Sequence, residues 1–172
     1  MCGIVGAIAR RNVAKILLEG LSRLEYRGYD SSGMAINNAN GVHAHRAVGK
    51  VQALKNKCEE APLDGHIGIA HTRWATHGAP AEHNAHPHIS NDRIAVVHNG
   101  IIENYESLRE NLIAKGYQFA SETDTEVVVH LIDTYLKPGV SLLEAVILAT
   151  KELRGAYALG VISKEDPDML VA

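Results

Sequence analysis

Short apolar runs and amphipathic stretches alternate along the chain, and their periods predict most of its elements. Gly3 to Ala9 is brief, branched and apolar, the pattern of a buried strand with Cys2 at its leading edge. Val13, Ile16, Leu17, Leu21 and Leu24 recur at helical spacing, predicting a helix from an Asn12 cap to about Tyr26. Turn formers fill Arg27 to Gly33. A hairpin follows, with Met34 to Asn37 and Val42 to Val48 joined across Asn38 to Gly41. A short helix is expected from Lys50 to Glu60, ahead of Pro62, and a strand from Gly65 to Arg73.

Trp74 to Asp92 shows no period, only Gly, Pro, His and Asn, and is expected to be one long functional loop. Arg93 to His98 is a further strand. Asn104 is placed to cap a helix reaching Lys115, with Gly116 ending it. Thr123 with Glu126, and Ser141 with Glu144, have capping-box spacing, predicting helices to about Leu136 and Leu153. Ala156 to Ile162 is a strong strand, and Met169 to Ala172 starts another.

Composition narrows the class. The 172 residues suit one domain, and 46% apolar with 22% charged residues is globular. A net charge of −3 with scattered Lys and Arg leaves no footprint for nucleic acid or an anionic membrane. No apolar run approaches the roughly 20 residues that span a bilayer. Two cysteines, Cys2 and Cys58, point to a reducing cytoplasmic setting without a disulfide framework.

Candidate chemistry starts at Cys2. With Met1 removed, one residue carries both a thiol and an α-amine. Their reference pKa values, about 8.5 and about 7.7–8.0, suit the amine to take the thiol proton. The plainer reading is a small buried hydrophobe opening a strand. Asn99-Gly100 reads as a hairpin turn, or as an oxyanion hole made from the Asn99 amide and the Gly100 N–H. Arg73 is either a surface partner for an acid or a fork for a substrate carboxylate. Asp124 either complements a helix dipole or accepts a substrate ammonium. An Arg and an Asp together would read an α-amino acid. Histidines at 71, 77, 83, 86, 88 and 98 raise a metal hypothesis, but no His-Glu-x-x-His signature or accompanying cysteine supports one. No nucleotide-binding glycine loop is present.

Six co-linear motifs carry a resemblance: Cys2 to Gly6, Leu24 to Ser31, His71 to Gly78, Asn84 to His88, His98 to Asn104, and Ser121 to Glu126. Together they resemble class II glutamine amidotransferases. The resemblance implies an α+β, four-layer αββα N-terminal nucleophile hydrolase sandwich with two mainly antiparallel sheets, C-terminally incomplete over residues 2–172. It implies hydrolysis of L-glutamine to glutamate and ammonia through a Cys2 thioester, with Asn99 and Gly100 holding the oxyanion. Arg73, Thr76 and His77 are implied at the α-carboxylate and Asp124 at the α-amine, while Trp74, Arg27 and Gly28 would wall or gate the site. No cofactor and no metal are implied. The implied partners are isomerase domains beyond this chain, in a homo-oligomeric full-length enzyme that converts fructose 6-phosphate to glucosamine 6-phosphate. An inactive module that merely holds glutamine is the rival reading.

Overall fold

A computed structural model describes residues 2–74 and 78–172. Its first sheet has the order β1-β4-β2-β3, from β1 (Gly3–Ile8), β2 (Ser31–Asn38), β3 (Gly41–Val48) and β4 (Ile67–Arg73). The second has the order β5-β6-β7-β8, from β5 (His88–Ser90), β6 (Ile94–Ile102), β7 (Gly155–Ser163) and β8 (Asp166–Val171). Every pairing described is antiparallel. The helices are α1 (Ala14–Leu24), α2 (Val51–Glu60), α3 (Tyr105–Ala114), α4 (Thr125–Tyr135) and α5 (Leu142–Thr150).

Successive strand residues face opposite sides of a sheet, and this period sorts the core into three layers. Met34 and Ile36 of β2 pack with Leu17 and Leu21 of α1 and Val51 and Leu54 of α2. Ala35, on the other face, meets Ile67 and Ile69 of β4 and Ala95, Val97 and Ile162 of the second sheet. On that sheet's far side Ile94, Val96 and Val161 pack with residues of α3, α4 and α5, among them Leu112, Val128 and Ala149. Helices, sheet, sheet and helices therefore stack as αββα. β4 is buried along its whole length, as a central strand covered on both faces must be.

Several local expectations change. Asn12 sits one residue before the cap position; its Oδ1 accepts the Ala14 N–H (2.8 Å) and its Nδ2 donates to the Leu63 carbonyl (3.0 Å). α1 stops at Leu24 and tightens into a 3-10 turn, Glu25–Arg27. The His-rich loop contains β5, a strand too short for alternation to reveal.

Asn99-Gly100 is not a hairpin turn. β6 runs through it to Ile102, because β7 pairs along the full length and sets Asn99 opposite Ala158 and Gly100 opposite Tyr157. Gly100 has φ +136°, and a Cβ there would lie 2.2 Å from the Ala156 carbonyl oxygen.

Asn104 holds the N-cap position of α3, but its side chain makes no capping bond. Its Nδ2 donates to the Glu152 carbonyl (2.9 Å) and its Oδ1 accepts the Arg154 N–H (2.9 Å), tying the end of α5 to β7. The Thr123–Glu126 box does not form either. Asp124 is the N-cap, and Glu126 reaches back to the N–H groups of Ala120 (2.8 Å) and Ser121 (2.7 Å). The Ser141–Glu144 box is present, although α5 ends at Thr150.

Close backbone approach yields a stability prediction. A Cβ at Gly33 would sit 2.1 Å from the His86 carbonyl oxygen and 2.8 Å from that of His45. Gly33→Ala is expected to destabilise the fold by about 1–3 kcal/mol, as overpacking against backbone does. Urea unfolding of both proteins measures it.

Candidate active site

β1 pairs with β4 so that Gly3 faces Thr72, and Cys2, one step beyond, meets the end of β4. The Trp74 N–H donates to the Cys2 Sγ (3.3 Å), and the Trp74 carbonyl lies 3.7 Å from the same sulfur. From the facing sheet, the Asn99 Nδ2 donates to the Cys2 carbonyl oxygen at 3.4 Å. The chain start is thus gripped by both sheets.

A cavity of about 260 Å³ opens here, lined by Cys2, Arg73, Trp74, Asn99, Gly100 and Asp124, with Ile101, His86, His98, Thr123 and Thr125 completing it. That volume lies just below the usual range for ligand sites, about 300–1,000 Å³, and suits a small metabolite.

The charged walls are Arg73, 3% exposed, and Asp124, 4% exposed. Arg73 is no surface residue. Its Nη1 lies 3.9 Å from the Asp30 carboxylate, and its Nη2 donates to the Gly78 carbonyl at 3.4 Å. Asp124 turns away from the helix it caps, and its Oδ2 accepts the Ile102 N–H (2.9 Å). A carboxylate has about four acceptor positions, so this bond leaves capacity for an ammonium. The segment leading into the site is tied down by Asn84, which donates to the Glu122 carboxylate and to the Ala79 carbonyl (3.0 Å each) and accepts the Glu122 N–H (3.0 Å).

Of the residues expected in the site, Cys2, Arg73, Trp74, Asn99, Gly100 and Asp124 come together. Trp74 is 55% exposed at the mouth. Arg27 is exposed, with its Nε donating to the Tyr26 hydroxyl (2.9 Å), and does not line the cavity. Gly28 is not in the lining either, although a Cβ on it would meet the Trp74 ring at 3.1 Å. Thr76 and His77 lie outside the described residues.

Behind the cavity lies a layer of buried imidazoles. His71 and His86 have ring centroids 4.2 Å apart, and His88 sits 4.9 Å from His86. Burial, reinforced by neighbouring imidazoles and Arg73, pushes His71 down to about 3 and His86 well below the usual value. His88 is lowered by burial and by Arg46. These three rings are neutral at pH 7; the Nε2 atoms of His86 and His88 lie within hydrogen-bond distance of the Thr125 (2.8 Å) and Thr123 (3.0 Å) hydroxyls. Among the described residues no group of three or more His, Cys, Asp or Glu side chains could hold a metal ion. Thr123 and Thr125 were not singled out as site residues by sequence reasoning; the Thr-Asp-Thr spacing, two hydroxyls flanking the acid, was the available signal.

Residues 71–172 match the glutamine amidotransferase domain family. The chain belongs to that family. It is 61% identical, over its entire length, to the isomerizing glutamine–fructose-6-phosphate aminotransferase of Escherichia coli (strain K12) and 59% identical to that of Pseudomonas putida. It spans 28% of the length of each. Among solved structures, the glutamine phosphoribosylpyrophosphate amidotransferase from B. subtilis superposes with a TM-score of 0.79 at 26% identity, covering 95% of this chain and 35% of that one. An allosteric regulatory enzyme of purine biosynthesis gives 0.80 at 27% identity, covering 95% of this chain and 36% of the other. The αββα sandwich is the N-terminal nucleophile hydrolase fold expected of class II amidotransferases.

The neutral imidazoles predict acid sensitivity. Each is unprotonated in the fold but titrates near about 6.5 once unfolded, so the unfolded state binds more protons below that pH. Stability should hold above pH ~7 and fall as pH drops from ~6.5 toward ~3, by about 1.4 kcal/mol per pH unit for each such ring. Glu126 adds a second loss. Burial works against its charge, but His130, Ser121 and the N–H groups of Ala120 and Ser121 hold its pKa well below the ordinary carboxylate range. Its contribution is present above ~4.3 and lost below it. Urea midpoints at pH 7.5, 5.5 and 4.0 test the sign, and a flat profile would contradict it.

Proposed function

We propose that the chain hydrolyses L-glutamine to glutamate and ammonia, with Cys2 as nucleophile. The observation that carries this reading is the convergence of Cys2, Asn99-Gly100, Arg73 and Asp124 on one small cavity. Removal of Met1 frees the Cys2 α-amine, which takes the thiol proton as Sγ attacks the side-chain amide carbon. The carbonyl oxygen becomes an oxyanion, held by the Asn99 Nδ2 and the Gly100 N–H. Collapse breaks the carbon–nitrogen bond, the proton passes to the departing nitrogen, and ammonia leaves a γ-glutamyl thioester. Water then cleaves the thioester to glutamate and restores the thiol. Arg73 takes the α-carboxylate as a two-pronged donor, Asp124 the α-ammonium, and Thr76 and His77 assist at the carboxylate end. Trp74 forms the mouth, with Gly28 beside it and Arg27 on the adjoining turn.

Residues 2–172 then form the glutaminase part of a larger cytoplasmic enzyme. Ammonia released here passes to isomerase domains outside this chain, which convert fructose 6-phosphate to glucosamine 6-phosphate in a homo-oligomer. The whole-chain identity to glutamine–fructose-6-phosphate aminotransferases supports that acceptor. No described helix is long and apolar enough to cross a membrane.

Glutamate release from L-glutamine is the direct assay. Cys2→Ala should abolish it, and a glutamine-like electrophile should add once to Met1-trimmed protein, at Cys2 alone by peptide mass. Unchanged turnover in Cys2→Ala would sink the proposal. Arg73→Lys should raise the glutamine KM by roughly tenfold, since a planar fork becomes a point charge.

A further inference from the structure

The oxyanion pair is bracketed on β6 by two ties to consecutive residues at the start of α4. Before it, the His98 Nδ1 lies 2.8 Å from the Thr125 Oγ1. After it, the Ile102 N–H donates to the Asp124 carboxylate (2.9 Å). The Thr125 hydroxyl also lies 2.8 Å from the His86 Nε2, so one oxygen bridges two imidazoles. Thr125, His86 and His98 are all buried and all border the cavity.

A hydroxyl has one proton and two lone pairs, and a neutral imidazole has one donor and one acceptor nitrogen. When the hydroxyl donates to one ring and accepts from the other, the two tautomers are coupled. If Thr125 accepts from the His86 Nε2–H, it donates to the His98 Nδ1, and His98 carries its proton on Nε2. If it donates to the His86 Nε2, both rings carry their protons on Nδ1. The rings therefore share the same protonated nitrogen, whichever arrangement holds.

We propose that Thr125 is a positioning residue for the amide-cleaving site: its hydroxyl couples His86 to His98 and fixes the strand that presents Asn99 and Gly100 to Cys2. This rests on the glutaminase reading. Asp124 and Thr125 then divide the work at one helix start, Asp124 receiving the substrate ammonium and bracing Ile102 while Thr125 braces His98. The hydroxyl is engaged by His86 and His98, so its contribution is expected on the placement of the donors, not on glutamine affinity.

The test compares wild type, Thr125→Val and Thr125→Ser by steady-state kinetics, with ¹⁵N-histidine NMR of wild type as an activity-independent measurement. Thr125→Val should lower kcat by roughly 10- to 100-fold, the scale of a misplaced reacting geometry, with the glutamine KM changed less than about twofold. Thr125→Ser, which keeps the hydroxyl, should recover kcat to within about threefold of wild type. NMR should find His86 and His98 singly protonated on the same-named nitrogen. The proposal is overturned by an unchanged kcat in the Val variant, by a Ser variant as impaired as Val, or by different protonated nitrogens on the two rings. Should Thr125→Val fail to fold, the Ser kinetics and the wild-type tautomers still decide. An inactive wild type with matching tautomers would instead refute the glutaminase reading and leave the hydroxyl bridge standing.

Discussion

The nucleophile proposed at the second residue is useful only if the start of the chain is immobile, and the β1–β4 ladder supplies that constraint. Chain ends fray unless they are tied into a sheet. Here Gly3 to Ile8 pair with Thr72 to Ile67, so the sulfur arrives beside the last residues of a fully buried central strand. Arg73 and Trp74 come to the site through the same pairing. The second sheet need only stack on the first for β6 to deliver Asn99, whose amide reaches the Cys2 carbonyl. One ladder therefore positions the thiol, the cation and the mouth, and one sheet-on-sheet contact adds Asn99 and Gly100.

The sequence revealed elements best where a local period had a single explanation. β1, the β2–β3 hairpin, α2 and β7 lie within a few residues of their expected bounds, because apolar alternation and turn residues agree there. Asn99-Gly100 shows the limit. Its local chemistry is that of a tight turn, yet Ala158 and Tyr157, more than fifty residues away, hold it in a ladder. Non-local pairing overrode local preference. Asn104, Thr123 and Glu126 fail in the same way, since each side chain finds a partner other than its own helix end. For Ser141–Glu144 the local and tertiary answers coincide, and the box forms.

Site residues were legible through motif resemblance more than through chemistry read residue by residue. Arg73 and Asp124 each had an ordinary structural explanation, and only their burial on one cavity distinguishes them from surface charges. Arg27 and Gly28 illustrate the reverse: motif position suggested a wall, but Arg27 is exposed and Gly28, outside the described lining, packs beside the Trp74 ring. The histidines raised a metal hypothesis that no ligand signature supported, and those at 71, 86 and 88 form a packed neutral layer. Nothing in linear spacing distinguishes those roles, because both need several imidazoles and differ only in how they face one another.

That neutral layer bears on the electrostatics of the cavity. Charged imidazoles at His71, His86 and His88 would place cations behind the site and compete with Arg73 for a substrate carboxylate. Burial keeps them uncharged, so the cavity retains one buried cation in Arg73 and one buried anion in Asp124. Opposite charges in a poorly solvated site discriminate strongly by charge pattern, since little water intervenes to screen them. A zwitterion oriented with its carboxylate at Arg73 and its ammonium at Asp124 satisfies both. The reversed orientation sets like charge against like at each end. Under the proposed glutaminase reading, the uncharged rings sharpen the selection of an α-amino acid without touching it, and leave its side-chain amide to face the thiol.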